Sequence, residues 1–376
     1  MRIRDVQVIQ RYQAFKTDYG ISSGATVGET YLYIRITAED GTVGIGEGAP
    51  SVPFSYEDYG TAYHVIRTYL RQVLLGVDSF DVEAIEMRME KALPHHPMAK
   101  AGIDIALHDL NARLLGVPVH TLLGGVYHQK VPLIYAIGIS NTERMLAEAH
   151  DAVERGFRTV KLKIGTDPRT DLERVREIRR IIGDDTRFRV DANQGCNLTE
   201  YMQTFRKLEA FDLEFLEQPL PTWDIEGLRR LCAALDTPIL IDEGIYTSHD
   251  LLHLIKRDAV DAVNIKVEKT GLRGGKRIAA IAEAAGLPCI VGSMIETSVG
   301  TAAGVHFAAA TRGVTHASEM LGPYVFFDEE VVEGAPYTQV PSDCCWDVPM
   351  GPGLGVALRP NVAMLFDGEV NHVRSA

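Results

Sequence analysis

Cysteine is scarce in this 376-residue chain: five residues, an odd number, scattered as Cys196, Cys232, Cys289, Cys344 and Cys345. None is spaced as a CxxC pair, which excludes a thiolate zinc site or a disulfide-framed small domain and points to a reducing, cytoplasmic setting. No apolar run approaches the roughly 18 residues that cross a bilayer. The first residues, MRIRDVQVIQRYQ, alternate like a strand and lack the apolar centre of a signal peptide. Positive charge is in deficit: 38 Lys+Arg against 51 Asp+Glu, a formal net charge of -13. That excludes a general binder of nucleic-acid backbones and, with the missing spans, a membrane partner. The 12 histidines contain no HExxH spacing. Gly351-x-Gly-x-Gly355 lacks the dinucleotide-binding spacing, and Gly274-Gly-Lys276-Arg277 lacks the hydroxyl residue of a phosphate loop. What is present is an ordinary globular balance, 46% hydrophobic and 24% charged.

The first 50 residues read as antiparallel strands. Ile3, Val6 and Val8 mark one, Tyr31–Ile36 a second, and Thr42–Glu47 a third after a turn at Glu39-Asp40-Gly41. The Gly- and Ser-rich stretch Asp18–Ala25 reads as a movable loop, and Gly48–Tyr59 as a second loop carrying aromatic anchors. Helical spacing follows near Glu57–Leu75, Val82–Leu93 and Met98–Leu115. From about Val131 short apolar runs alternate with helix-length segments. The strands read are Val131–Ile137, Thr159–Ile164, Phe188–Ala192, Leu213–Glu217, Ile239–Asp242, Ala262–Val267, Pro288–Ser293 and Val314–Met320. Helices between them include Thr142–Arg155, Asp171–Ile182, Leu251–Arg257 and Gly274–Ala285. Eight strands at this spacing imply an α/β protein, a (β/α) barrel behind an α+β capping domain. The expected division is 1–125 for the capping domain, 126–335 for the barrel, and 336–376 for a segment returning to the capping domain.

Barrel active sites gather at the C-terminal ends of the strands. Here five successive strands each end on an ionisable residue: Lys161 and Lys163, then Asp191, Glu217, Asp242, then Lys266. Any one acid alone reads as a surface carboxylate. Three converging in a partly dry cavity repel one another unless a cation joins them, and an all-oxygen set favours Mg2+. Lys161 and Lys163, two apart on a strand, share a face. Desolvation and mutual repulsion are expected to lower their pKa toward that of a working base. Lys266 approaches from across the barrel. Two lysines on opposite sides of a metal-bound carboxylate can remove a proton from its α-carbon and return one to the other face through an enediolate.

These residues, together with Glu217-Gln-Pro219, Asp242-Glu243 and Gly292–Gly300, resemble the enolase superfamily, in particular the muconate-lactonizing subgroup of the mandelate racemase/muconate lactonizing enzymes. The resemblance spans essentially the whole chain. It implies a modified (β/α)7β barrel of TIM type with an N-terminal lid, and it implies Lys163 and Lys266 as acid/base residues, Lys161 as electrostatic partner of Lys163, and Asp191, Glu217 and Asp242 as Mg2+ ligands, with Mn2+ as a substitute. Asn193 and Glu243 fall behind those ligands. Candidate substrate contacts are Tyr19 in the first loop, Phe54 and Tyr56 in the second, Ser293 and Glu296 after the seventh strand, and Glu319 at the eighth. The implied protein is a homo-oligomeric isomerase of a small carboxylate, a racemase, epimerase or cycloisomerase. A dehydratase on the same scaffold and a non-catalytic barrel are the alternatives. Two departures bear on substrate. Ser318-Glu319-Met320 replaces the Asp-x-Asp that dipeptide epimerases of the family carry, and the first loop lacks the Arg-Pro-His run of muconate cycloisomerases. The seventh strand lacks the histidine of mandelate-racemase-type sites.

Overall fold

The computed structural model describes residues 1–368, apart from the side chains of Pro53 and Phe54. The N-terminal part is a three-stranded antiparallel sheet, β1 (Ile3–Ile21), β2 (Gly24–Ala38) and β3 (Val43–Gly48). Alternation along β2 gives it two apolar faces. Leu32, Ile34 and Ile36 join Val6 and Val8 in a core beneath the helices Val82–Ala92 and Pro97–Leu115. Tyr31 and Tyr33 point the other way, to the barrel, where the Tyr31 hydroxyl donates to Ile295 O at 2.6 Å. Helix Pro97–Leu115 lies directly on β3 because Gly44 and Gly46 carry no side chain. A Cβ at Gly46 would collide with Gly102 O and fall 2.6 Å from Ala106 N.

The expected loop at Asp18–Ala25 is instead the end of a long hairpin. β1 and β2 stay paired out to Ile21↔Gly24, with a register irregularity between Ala14 and Tyr19. Backbone pairing outweighs the turn-forming composition because the arm finds the barrel to rest on: Ile139 N donates to Gly20 O at 2.8 Å, and Ser22 Oγ to Asn193 O at 3.0 Å.

The run Val131–Ile137, expected as one strand, is split. β4 (Lys130–Pro132) turns outward to pair with a C-terminal strand, and β5 (Tyr135–Ile137) enters the barrel. The parallel sheet continues through β6 (Thr159–Lys163), β7 (Arg187–Asp191), β8 (Leu213–Glu217), β9 (Ile239–Ile241), β10 (Ala262–Ile265) and β11 (Cys289–Val291), in the order β11-β10-β9-β8-β7-β6-β5. The expected eighth strand, Val314–Met320, survives only as isolated bridges, Cys289↔Val314 and Leu133↔Ser318. Its contact on each side is too short to form a continuous ladder. It still closes the ring: Glu319 N donates to Val291 O at 2.8 Å and Ile134 N to Ser318 O at 3.0 Å.

One parity of each strand faces the surrounding helices. Val160, Leu162, Val190, Leu216, Ile239, Ile241, Val263 and Ile265 lie in that apolar layer. The other parity fills the barrel, with Phe215, Leu240, Ala262 and Ile290 forming a small cluster of their own. The helix Val267–Ala284 breaks at Gly271 (φ 66°), and Asp104 of the capping domain caps its second part through Leu272 N at 2.6 Å. The C-terminal strand β12 (Cys345–Asp347) pairs antiparallel with β4. Beyond it the chain meets the capping domain, where Leu354 N donates to Asp109 Oδ1 at 2.7 Å and Gln7 Nε2 to Phe366 O at 3.1 Å. Residues 369–376 of the C-terminal segment lie outside the described residues.

Candidate active site

Strand parity and strand order build the site. Lys163, Asp191 and Glu217 are direct register partners at the ends of β6, β7 and β8. Asp242 follows β9 immediately, and Lys266 follows β10. The three acids therefore occupy the three positions between the lysines of β6 and the lysine of β10. All six side chains are buried. Room beside Lys266 comes from Gly292, just after β11, where a Cβ would collide with Asn264 Oδ1 and fall 2.8 Å from Lys266 Cε.

Each acid is held by ammonium groups. Lys163 Nζ donates to Asp191 Oδ2 at 2.6 Å and to Asn193 Oδ1 at 2.7 Å. Lys161 Nζ reaches Asp191 Oδ2 and Glu217 Oε2, both at 3.1 Å, and Glu319 Oε1 at 2.7 Å. Lys266 Nζ lies 2.7 Å from Asp242 Oδ2. Two participants were not anticipated from the sequence. Lys269 Nζ donates to Asp242 Oδ1 and to its backbone oxygen, each at 2.7 Å, and Asn264 Nδ2 donates to Glu217 Oε1 at 2.7 Å. Asn264 was accessible to reasoning, since it precedes Lys266 by two on the same strand face. Lys269 was not, because the chain has already become helical there. Behind the acids, Asn193 Nδ2 donates to Glu243 Oε1 at 3.0 Å. Gln218 Oε1 accepts from Asp242 N and Gly244 N, both at 3.1 Å. Asn193 (φ 40°) and Gln218 (φ 30°) adopt left-handed backbone at these strand ends, strain of the kind that gathers at functional sites.

The lysines do not carry the lowered pKa expected of them. Burial, the largest single effect, and the repulsion of Lys161 oppose the charge of Lys163, yet Asp191 together with Tyr19 and Glu217 raises it. Burial likewise opposes Lys161 and Lys266, and neighbouring carboxylates, Glu217 first for the former and Asp242 for the latter, raise both. Ion pairing at 2.6–3.1 Å decides the sign. A dication on the same carboxylates would withdraw that support. Among the acids, burial opposes the charge of Asp191 and Asp242 but their lysines win and lower both. Glu217 is pushed up to about 8 by burial and by Asp191, against Lys161.

Among the described residues no three His, Cys, Asp or Glu side chains are gathered into a ready metal cage, since lysines hold the acids. The donor set nonetheless fits a hard cation. Five acids (Asp191, Glu217, Asp242, Glu243 and Glu319) surround four lysines, so full ionisation leaves excess negative charge. Glu243 Oε2 is buried with no hydrogen-bond partner among the described residues, and burial pushes that carboxyl up to about 7. Oxygen-only ligands at this charge suit Mg2+.

A cavity of about 80 Å³ lies over the lysines, beneath the hairpin. Of the candidate substrate contacts, Tyr19, Ser293 and Glu319 line it. Glu296 does not. It is buried, accepts from Ser293 Oγ at 2.8 Å and Met294 N at 2.9 Å, and shapes the loop after β11. Tyr56 is exposed, with its hydroxyl 3.4 Å from Thr222 Oγ1, and borders a separate cleft of about 840 Å³ between the capping helices and the barrel. The side chain of Phe54 lies outside the described residues. His316 packs against Phe215 and lies 3.9 Å from Glu214, away from this cavity.

Residues 3–124 match the mandelate racemase / muconate lactonizing enzyme N-terminal domain, and residues 144–362 match the enolase C-terminal domain-like family. The chain belongs to the mandelate racemase/muconate lactonizing enzyme family of the enolase superfamily. The N-succinyl-L-Arg/Lys racemase of Bacillus cereus is 31% identical over 366 residues, 96% of each chain. Muconate cycloisomerase 1 of Rhodococcus opacus is 36% identical over 334 residues, 87% of this chain and 88% of that protein. A dipeptide epimerase of Enterococcus faecalis, solved with Mg and L-Leu-L-Tyr, superposes with a TM-score of 0.89 at 31% identity, covering 95% of this chain and 100% of that one. These family members are isomerases, and so is this chain.

Proposed function

We propose that this family member is a Mg2+-dependent racemase or epimerase that exchanges the proton α to a small carboxylate. One observation carries the reading: lysines stand at both ends of the buried acid row, Lys163 on Asp191 and Lys266 on Asp242. A cycloisomerase needs only one base, whereas inversion at carbon needs one on each face.

Asp191, Glu217 and Asp242 would hold the cation, which supplies positive charge against the carboxylate that gains charge as the α-proton leaves. In its neutral form Lys163 Nζ takes that proton, and the electron pair passes into the carboxylate as an enediolate. The Lys266 ammonium then delivers a proton to the opposite face, giving the other configuration, and the reverse reaction exchanges the roles. Lys161, fixed between Glu217 and Glu319, keeps positive charge beside Lys163 and opposes protonation of that base. Asn193 orients the Lys163 amine, and the hairpin over the cavity excludes water that would reprotonate the intermediate at random. Five free cysteines support a reducing, cytoplasmic compartment, and no described helix is long and apolar enough to cross a membrane.

The test is α-proton exchange in D2O, followed by NMR over a panel of N-acyl amino acids and dipeptides with Mg2+ and with EDTA. Mg2+-dependent exchange with loss of optical purity is expected. Lactone formation from a muconate without exchange in the panel would replace this reading with cycloisomerisation.

A further inference from the structure

A cavity of about 300 Å³ opens at the amino ends of the barrel strands, the end opposite the lysines. It lies at the seam where the ring closes through isolated bridges, between β4, the starts of β6 and β7, and the segment Val314–Ser318. Lys130, Arg158, Arg187, His128 and His316 line it, and among the described residues no aspartate or glutamate does. In a chain of net charge -13 this is a concave surface of the opposite sign, which attracts anions. The acids nearby do not cancel it. Glu214, beside a register irregularity between β7 and β8, is shared: it accepts from Arg187 Nη1 at 2.7 Å and from Arg189 Nε at 2.5 Å, with His316 Nε2 at 3.9 Å. One carboxylate thus faces two guanidinium groups. Lys130 is paired with Asp343 and Asp347. Arg158 adjoins Arg187, whose backbone N donates to Arg158 O at 3.0 Å, and among the described residues no carboxylate holds its guanidinium. Two buried groups at the same end also lack partners among the described residues. Arg189 donates Nη1 to Ala317 O at 2.9 Å and leaves Nη2 unbonded, and Ser318, which lines the cavity, leaves its hydroxyl unbonded. Unbonded buried polar groups are rare in folded proteins.

From this arrangement we infer that the cavity binds a small dianionic oxyanion, phosphate or a phosphate monoester, with Arg158 and Arg187 as its principal ligands. Guanidinium groups on neighbouring strand starts present N–H forks that match phosphate oxygens, and two positive charges side by side favour a dianion over a monoanion. The volume falls at the lower end of the range for small-molecule sites. Lys130 on β4 and His316 on the eighth segment add donors from the other elements of the seam. A bound dianion therefore ties together parts of the barrel that the backbone joins only by isolated bridges, and it does so away from the reacting end.

The test is equilibrium dialysis of the full chain against inorganic phosphate at fixed ionic strength, with Mg2+ and with EDTA. One phosphate per chain is expected under both conditions. Arg158→Gln should raise the dissociation constant about 10- to 100-fold, the usual worth of hydrogen bonds to a charged group. Because no carboxylate holds Arg158, that variant keeps its fold, and the rise in urea midpoint that phosphate gives the wild type should shrink in it. Lys163→Met, altered at the other end of the barrel, should bind phosphate as the wild type does. Displacement by phenyl phosphate at lower concentration than by unlabelled phosphate assigns the site to monoesters, and the reverse order assigns it to the free ion. Binding that requires Mg2+, that is lost in Lys163→Met, or that is unchanged in Arg158→Gln overturns the inference. So does tighter binding of succinate than of either phosphate, or failure to saturate by about 10 mM.

Discussion

Replacing either opposed lysine by methionine separates the two halves of the proposed reaction. The structure indicates that such variants remain folded, because each acid keeps another partner. Without Lys163, Asp191 retains Lys161 at 3.1 Å and the Asn193 amide at 2.9 Å. Without Lys266, Asp242 retains Lys269 at 2.7 Å. The roughly 3–5 kcal/mol lost when a buried charge is left alone is therefore an upper bound. The loss of a positioned acid or base acts on rate instead, by about 10²- to 10⁴-fold, or ~3–5 kcal/mol of barrier at 1.36 kcal/mol per decade. Deuterium incorporation from D2O is measured separately on each enantiomer of a racemised substrate. Lys163→Met is expected to lose exchange with one enantiomer and keep it with the other. Lys266→Met should show the mirror pattern, and neither should interconvert the two. If each variant loses both enantiomers equally, or both keep more than about a tenth of the wild-type rate, the lysines do not act from opposite faces.

Glu217→Gln should abolish stabilisation by Mg2+: at 100 times its dissociation constant the ion adds about 2.7 kcal/mol to the wild type, read as a shift in urea midpoint, and an equal shift in the variant would remove Glu217 from the cation site. Glu47 of β3 is buried and accepts from Thr297 N at 2.8 Å and Gly300 N at 2.9 Å, yet burial pushes its pKa up to about 8. A folded-state pKa above the ordinary carboxylate value means its contribution to stability is present below about 4.5 and is lost as pH rises to about 8. Urea titrations between pH 5 and 8 should accordingly show a shallower fall for Glu47→Gln, by up to about 1.4 kcal/mol per pH unit, and parallel curves would contradict the assignment. Gly46→Ala forces a Cβ into Gly102 O beneath helix Pro97–Leu115. It should cost about 1–3 kcal/mol in a thermal melt, and an unchanged midpoint would show that the helix yields.

The barrel was legible because β-strands alternate: Lys161-x-Lys163 puts both charges on one face while Val160 and Leu162 pack outward, and Lys266 follows the outward-packed Val263 and Ile265 in the same way. The acids were legible because each ends an apolar run. Interactions that depend on chain segments far apart were less so. Composition marks Asp18–Ala25 as a turn, but only contact with Ile139 and Asn193 makes it a paired arm. The lysine pKa values illustrate the same difficulty. Two ammonium groups in one strand suggest mutual lowering, and the carboxylates that reverse this come from β7, β8 and the segment after β11. An aromatic in the second loop, Tyr56 reads from sequence as a substrate contact, but a left-handed turn (φ 57°) directs it toward Thr222.

Asn193 joins four parts of the protein through its own atoms. Its carbonyl receives the hairpin tip at Ser22, its side-chain oxygen receives Lys163, its side-chain nitrogen reaches Glu243, and its backbone amide holds Asp191. The hairpin tip and the Lys163 amine are therefore joined through a single residue, without a relay of intervening side chains. Lys163 keeps its ion pair with Asp191 whatever the arm does, so the hairpin bears on only one of the two contacts that fix this amine.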